Sequence, residues 1–279
     1  MSISADGAPS LERLAIHTIT TKPWPLAVAA ERCAEAGAYG ISIWIEALEG
    51  MSTTEARTAV ENAGLKVPAL VRGGFFCHSD QNLRGRSIEH NRRFIAMAAE
   101  LAAEMLVLVV GATPGEALNR QRGWVQFAIE NLIEDAEAAQ IRLAIEPLHP
   151  MYAADKSCIN RLTEARRLCE SIRNPYVGVA VDVYHVWWDA DLESEIKLLQ
   201  ALDALFAFHL CDWRVPTRDL LNDRALMGDG CIDIKGIRRS MEDAGFVGWN
   251  EIEIFSTEHW SRDQSDFLKD IVDRYTTCC

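Results

Sequence analysis

Short apolar runs alternate along this chain with longer segments whose apolar residues recur at helical spacing. The runs fall at residues 14–20, 40–46, 67–72, 105–111, 142–146, 177–182, 205–209 and 249–254. Each is short enough for a strand and bounded by turn residues. The segments between them predict helices over 25–36, 53–63, 87–102, 119–139, 161–172, 192–202, 234–244 and 261–275. Gly37 and Gly64 stand as stop signals after the first two. Strands that alternate with helices form a parallel sheet covered by those helices. Eight such units predict an α/β fold, a closed (β/α)8 TIM barrel. The expected organisation is one domain over 1–279, with an N-terminal extension at 1–13 and an active-site loop insertion at 211–233. A doubly wound open sheet is the competing architecture. It would bring a Gly-rich phosphate loop, and neither GxGxxG nor GxxxxGK[ST] occurs.

Composition narrows the function. The 279 residues are 49% hydrophobic and 25% charged, with 17 Gly and 9 Pro, which excludes disordered and collagenous chains. A net charge of −13 speaks against nucleic acid or an anionic membrane as a partner. The longest apolar run, 105–110, is far below the ~18 residues of a membrane span. The first eleven residues hold no Lys, no Arg and no continuous apolar stretch before Leu11, unlike a secretory signal after its basic start. None of the eight cysteines forms a CxxC pair, which fits reduced thiols and a cytoplasmic setting. Cys278 and Cys279 read as a frayed tail.

In a barrel the chemistry gathers at the C-terminal ends of the strands. The fifth run ends in Glu146. The sixth ends in Asp182, with His185 three residues on. The seventh ends in His209, followed by Asp212, and the eighth carries Glu253. Three carboxylates and an imidazole aimed at one mouth repel one another unless a cation sits among them. Oxygen and nitrogen donors of this kind suit one divalent metal ion: Mn²⁺, Mg²⁺ or Co²⁺. Glu251 has the same strand parity as Glu253 and competes with it as the ligand on the last strand. Such a metal activates a carbonyl, and Glu146 and Glu253 then remove and return the proton on the adjoining carbon.

The set Ile145-Glu-Pro147, Val181-Asp-Val-Tyr-His185, His209-Leu-Cys-Asp-Trp-Arg214, Met227-Gly-Asp-Gly230 and Gly248-Trp-Asn-Glu-Ile-Glu253 resembles the xylose-isomerase-like TIM-barrel superfamily. Within it, the match is to sugar phosphate isomerases and epimerases, including ketose 3-epimerases and inosose isomerases and dehydratases. The resemblance implies metal ligands at Glu146, Asp182, His209 and Glu253, with both glutamates doubling as acid–base groups. It also implies that His185 and Arg214 hold substrate oxygens. Glu146-Pro-Leu-His149-Pro150 and Cys211-Asp-Trp213 resemble the large subunits of C-glycoside deglycosidases. That likeness implies a lyase acting on a keto-glycoside by β-elimination, with His149 as base and a small second subunit. Otherwise His149 is a loop residue.

By strand position Trp44 and Arg72 contact the substrate, with Glu46 beside them, and His17 either contacts it or is a satisfied core histidine. Trp187 and Trp188 form a sugar-stacking wall or a subunit contact. His78, His90 and His259 lie on loops or the helix surface, and Lys22 and Lys156 show no Schiff-base context. Endonuclease IV shares this fold, but it needs further histidines on strands two and three that this chain lacks. The expected protein is a metal-dependent isomerase or epimerase of a keto-sugar or inositol derivative, forming a homo-oligomer, with the lyase as runner-up.

Overall fold

The computed structural model describes residues 7–279. The first six positions of the 1–13 extension lie outside the described residues. Eight parallel strands close into a barrel. They are β1 (Leu14–His17), β2 (Gly40–Trp44), β3 (Val67–Gly74), β4 (Ala103–Val109), β5 (Arg142–Ile145), β6 (Val177–Asp182), β7 (Leu205–Leu210) and β10 (Asn250–Ile252). The order β1-β10-β7-β6-β5-β4-β3-β2 runs once around the ring, and β1 pairs with both β2 and β10. Between β7 and β10 a small antiparallel pair, β8 (Asp212–Trp213) and β9 (Arg224–Ala225), folds over the mouth.

Because helices cover the outside, both faces of every strand are buried, and so the strands read as nearly continuous apolar runs. Ile41, Ile43, Leu70, Leu106, Leu143, Val179, Val181 and Phe208 belong to the core shared with the helices. The inner residues form a separate plug: Ala69, Val71, Met105, Val107, Ala144, Ala180, Phe206 and Ala207, capped by Ile19 and Trp44. Alanines opposite Met105 and Phe206 let large and small side chains interdigitate in a narrow barrel.

Three elements depart from the sequence pattern. The 119–139 segment is two helices, Leu118–Glu130 and Ile133–Ala139. The Asn131 side chain donates to Phe127 O and ends the first, and Leu132 turns fully into the core. The 87–102 helix begins earlier, at Gln81, because Asp80 accepts from the Asn82 and Leu83 N–H groups as its cap. The C-terminus is not frayed. The helix Gln264–Cys278 carries Cys279 into the core, where it is 2% exposed. All eight cysteines are free, Cys231 is exposed and Cys278 half-buried. Among the described residues no helix is long and apolar enough to cross a membrane.

Candidate active site

The register of the last strands assembles a buried polar layer. Asp182 pairs with His209, and His209 with Glu251. Glu146 and Glu253 each extend the ladder one residue past a strand, through N–H bonds to Leu108 O and Leu210 O (both 3.0 Å). One donor atom from each of Glu146, Asp182, His209 and Glu253 lies within 4.8 Å of the others. His209 Nδ1 is 3.0 Å from Glu146 Oε1 and 4.0 Å from Glu253 Oε2. All four residues are buried.

These residues fit a divalent ion. Ligand atoms each about 2.1 Å from one centre lie about 3–4 Å apart. The groups behind the cluster fit too. His209 turns Nδ1 to the cluster, and its Nε2 lies 3.9 Å from Glu251 Oε1, two buried atoms without a hydrogen-bond partner. A metal-binding histidine characteristically directs its second nitrogen to a carboxylate in this way. Glu251 in turn accepts from Ser42 Oγ and faces His17 Nε2 at 3.1 Å. Glu251 and Glu253 thus both point inward, on successive levels: Glu253 reaches the four-donor cluster and Glu251 supports it from beneath.

Arg224 neutralises part of this charge. Its Nη1 is 2.9 Å from both Asp182 Oδ2 and Glu253 Oε2 and donates to Glu253 O at 3.0 Å. Burial pushes the Asp182 carboxyl up to about 7; Glu253 and Glu146 add to the rise and Arg224 opposes it. Burial also works to raise Glu253, but His17 and Arg224 outweigh it and hold that carboxylate well below its ordinary range. Burial works to lower His209, yet the Glu146 hydrogen bond and the charges of Glu251 and Glu253 carry it up to about 10. A cation is what this site is short of.

Above the cluster opens a cavity of about 820 Å³, lined by Lys22, Trp44, Glu46, Arg72, Glu146, Lys156, His185, Arg224, Glu253, Phe255 and Trp260 among others. Its size suits a small molecule. Of the four clustered residues, only Glu146 and Glu253 reach the cavity wall. His185 is buried there, with Nε2 3.5 Å from Asp182 Oδ2 and 3.3 Å from Arg224 Nη2. Burial, with Arg224 adding to it, holds its pKa well below the ordinary value, so the ring is neutral. Its Nδ1 accepts from the His149 backbone N–H at 3.2 Å, while its Nε2 faces the Arg224 donor.

Trp44 and Arg72 stand on the wall, as strand position predicts. The Arg72 guanidinium lies 5.5 Å from the Trp44 ring centroid and 5.0 Å from that of Phe75. His17 does not line the cavity. It is fully buried between Glu251 and Glu253, with Nδ1 3.0 Å from Glu253 Oε1 and 3.1 Å from Trp44 Nε1. The His149 imidazole is also off the cavity wall. Its Nδ1 accepts from Met151 N–H, and its ring centroid is 5.1 Å from Trp213 and 5.7 Å from Trp188. Trp188 donates to His185 O, and Trp187 packs near Trp213, so this aromatic pair braces the His185 turn.

Arg214 requires a correction of position. Its Nε is 2.9 Å from Asp223 Oδ1 and its Nη2 3.6 Å from Glu258 Oε2, and it does not line the cavity. The arginine that reaches the site is Arg224, on β9. Asp212, beside His209 in sequence, serves the same loop. It accepts backbone N–H groups from Trp213, Gly228, Gly230 and Ile232. A Cβ on Gly230 would collide with Trp213 O and Asp212 Oδ1, so the Met227-Gly-Asp-Gly230 motif is a cradle for this carboxylate. His259 is not a loop residue: it is buried on a short helix, Thr257–Trp260, with its ring stacked on Phe267 at 4.5 Å.

Comparisons with known proteins agree with this architecture. A structure of protein SMc04130 from Sinorhizobium meliloti 1021 is 44% identical, with a TM-score of 0.93, and the match covers 97% of this chain and 99% of that one. A crystal structure of the IolI protein with a bound zinc atom is 19% identical, with a TM-score of 0.83, covering 96% of this chain and 99% of that one. Among curated proteins, SgbU of Escherichia coli K12, which carries the name of an L-ribulose-5-phosphate 3-epimerase, is 24% identical over 229 residues, 72% of this chain and 75% of that protein. The model of the Xylose isomerase-like TIM barrel family matches residues 30–271, and the chain belongs to that family.

Proposed function

We propose that this protein is a divalent-metal-dependent isomerase or epimerase of a keto-sugar or inositol derivative. The observation that carries the reading is the convergence of Glu146, Asp182, His209 and Glu253 at the floor of a sugar-sized cavity. These four residues would hold the ion: Mn²⁺, Mg²⁺ or Co²⁺, with zinc added by the IolI relative. When bound, the ion supplies Lewis-acid polarisation of a substrate carbonyl, which acidifies the adjoining C–H.

The protein's own groups then divide the work. Glu146 and Glu253 are the cluster members open to the cavity, and they come from strands separated around the ring by β6 and β7. One carboxylate oxygen takes the proton from one face of the substrate, and the other glutamate returns a proton to the opposite face. His185 and Arg224 line the cavity and contact substrate oxygens, Arg224 as a donor. Trp44, Phe255 and Trp260 supply an apolar wall against the sugar's C–H face. The name of the SgbU relative supports the same class of substrate and reaction.

The test is incubation of manganese-loaded protein in D₂O with a panel of keto-sugars, inososes and 3-keto-glycosides. Deuterium at a stereocentre without fragmentation is the expected result. EDTA and Glu146→Gln should each abolish it with little loss of folding. Release of an aglycone would overturn the reading in favour of β-elimination, with His149 as the first residue to test.

A further inference from the structure

Of the three cavity-wall cations without an ion pair among the described residues, Lys22 is exposed, whereas Arg72 and Lys156 are half-buried. Arg72 sits at the register shift of β3, between Val71 and Gly73, and Lys156 lies in the connection after β5, two strands round the ring. Both line the 820 Å³ cavity and both are half-buried. Among the described residues neither makes an ion pair within 4.0 Å. Each is laid against aromatic rings instead: Arg72 on Trp44 and Phe75, and Lys156 Nζ 4.4 Å from the Tyr152 centroid. Cation–π contacts of this kind hold a charged head in place without neutralising it. The two also feel one another. Burial lowers the Lys156 ammonium, and Arg72 and Arg224 add to the lowering, against Asp155 and Asp219. Arg224 offers no relief, since Asp182 and Glu253 engage it. Glu46 and Glu49 share the cavity wall on the β2 side, and neither is ion-paired. Arg72 also lines an adjoining cavity of about 430 Å³ with Glu46, His78, Arg86 and His90, so that side of the mouth sets one carboxylate among basic groups.

We propose that Arg72 and Lys156 form a subsite for an oxyanion, phosphate or carboxylate, carried by the substrate at a position away from its reacting carbonyl. The substrate class is then an anionic sugar derivative. A neutral hydroxyl would leave the two like charges uncompensated, whereas an oxyanion removes their repulsion and accepts from both. The planar Arg72 fork suits two oxygens of one such group. Glu46 and Glu49 place the anion on the Lys156 side, away from β2. The proposal rests on the isomerase reading for the word substrate, but the ion subsite can be tested without turnover.

The first arm measures deuterium incorporation, as kcat/KM, by magnesium-loaded protein on matched ketoses: the neutral sugar, its terminal phosphate ester and the corresponding keto-uronate. One anionic form should exceed the neutral one by about tenfold or more, the size of a charge-assisted contact. Arg72→Met and Lys156→Met should each remove most of that gain, so that the ratio of anionic to neutral kcat/KM falls toward one. Lys22→Met, an exposed cation on the β1 side over Trp260, should change little. A neutral ketose turned over as well as both anionic forms would overturn the proposal, as would variants that depress all substrates equally. Which anionic partner responds separates phosphate from carboxylate. The preference should also weaken as salt rises in the wild type, a readout that does not depend on the variants folding.

The second arm titrates inorganic phosphate and acetate into the magnesium-loaded protein by calorimetry. Binding that is lost in Arg72→Met and Lys156→Met supports the subsite. No binding, or binding that survives the double variant, overturns it. If no sugar exchanges deuterium, the isomerase reading falls, and this arm still decides the subsite.

Discussion

Replacing Arg224 by Met removes the protein's own cation from the floor of the site while keeping most of the side chain's length. The guanidinium is 3% exposed and bonded to two carboxylates and a carbonyl at 2.9–3.0 Å. Breaking a buried charge pair from one side costs about 3–5 kcal/mol, because the remaining carboxylates are left uncompensated. In a chain of this size each kcal/mol moves Tm by about 2–4 °C, so the metal-free variant should melt roughly 10 °C lower. An ion held by Glu146, Asp182, His209 and Glu253 returns positive charge to the same carboxylates. The deficit should then shrink to about 1–2 kcal/mol of lost hydrogen bonding. The assay is a pair of urea titrations and thermal melts, in EDTA and in millimolar manganese, on wild type and variant. Manganese should raise the variant's Tm by more than the wild type's. An equal deficit with and without metal would refute the argument, because it would mean that Arg224 and the ion do not share a charge. The absence of a deficit in EDTA would refute it equally.

Three further outcomes are expected. In EDTA, wild-type stability should fall by about 2 kcal/mol from pH 7 to 8.5, because His209 is held at about 10 when folded against an ordinary 6.5. A raised histidine contributes fully below its unfolded value and loses that contribution as pH climbs toward the folded one. Asp182, raised to about 7, loses its proton in the same window and deepens the fall, whereas Glu251 and Glu253 are lowered and already ionised. A urea midpoint that stays flat in EDTA would contradict this, and bound metal should flatten it. Asp212→Ala strands four backbone N–H groups, so urea unfolding should show a loss of about 3–5 kcal/mol, and under 1 would remove Asp212 as the anchor of the loop. His149→Ala should change kcat/KM by less than about threefold, since its backbone N–H is what meets His185; near-total loss would favour elimination.

The barrel was legible in the sequence because eight apolar runs each need a cover on both faces, and only a ring of helices supplies it. The acidic strand ends were legible because parity and position put Glu146, Asp182 and His209 at one mouth. What the linear pattern did not carry were partners fixed by tertiary folding. Arg224 lies fifteen residues beyond His209 in sequence and reaches the site only because β8 and β9 pair across the mouth. Arg214, nearer in sequence, is turned away by Asp223 and Glu258. A signal for this existed in the Asp212 and Met227-Gly-Asp-Gly230 pairing, since a buried carboxylate facing two glycines implies a tight return of the chain. His17 read as a substrate contact because its strand end faces the mouth, but its ring is buried between Glu251 and Glu253. Asn131 ended a helix through one side-chain hydrogen bond, which periodicity alone does not register.

The plug of Ala69, Val71, Met105, Val107, Ala144, Ala180, Phe206 and Ala207 has a consequence for traffic. The chamber above it is a cul-de-sac. Whatever enters must leave on the side it came in, past Arg72 and Trp260, and a product still inside bars the next arrival. Exchange therefore has the logic of a single door: arrival and departure take turns, and the solution outside sets the direction of net flow.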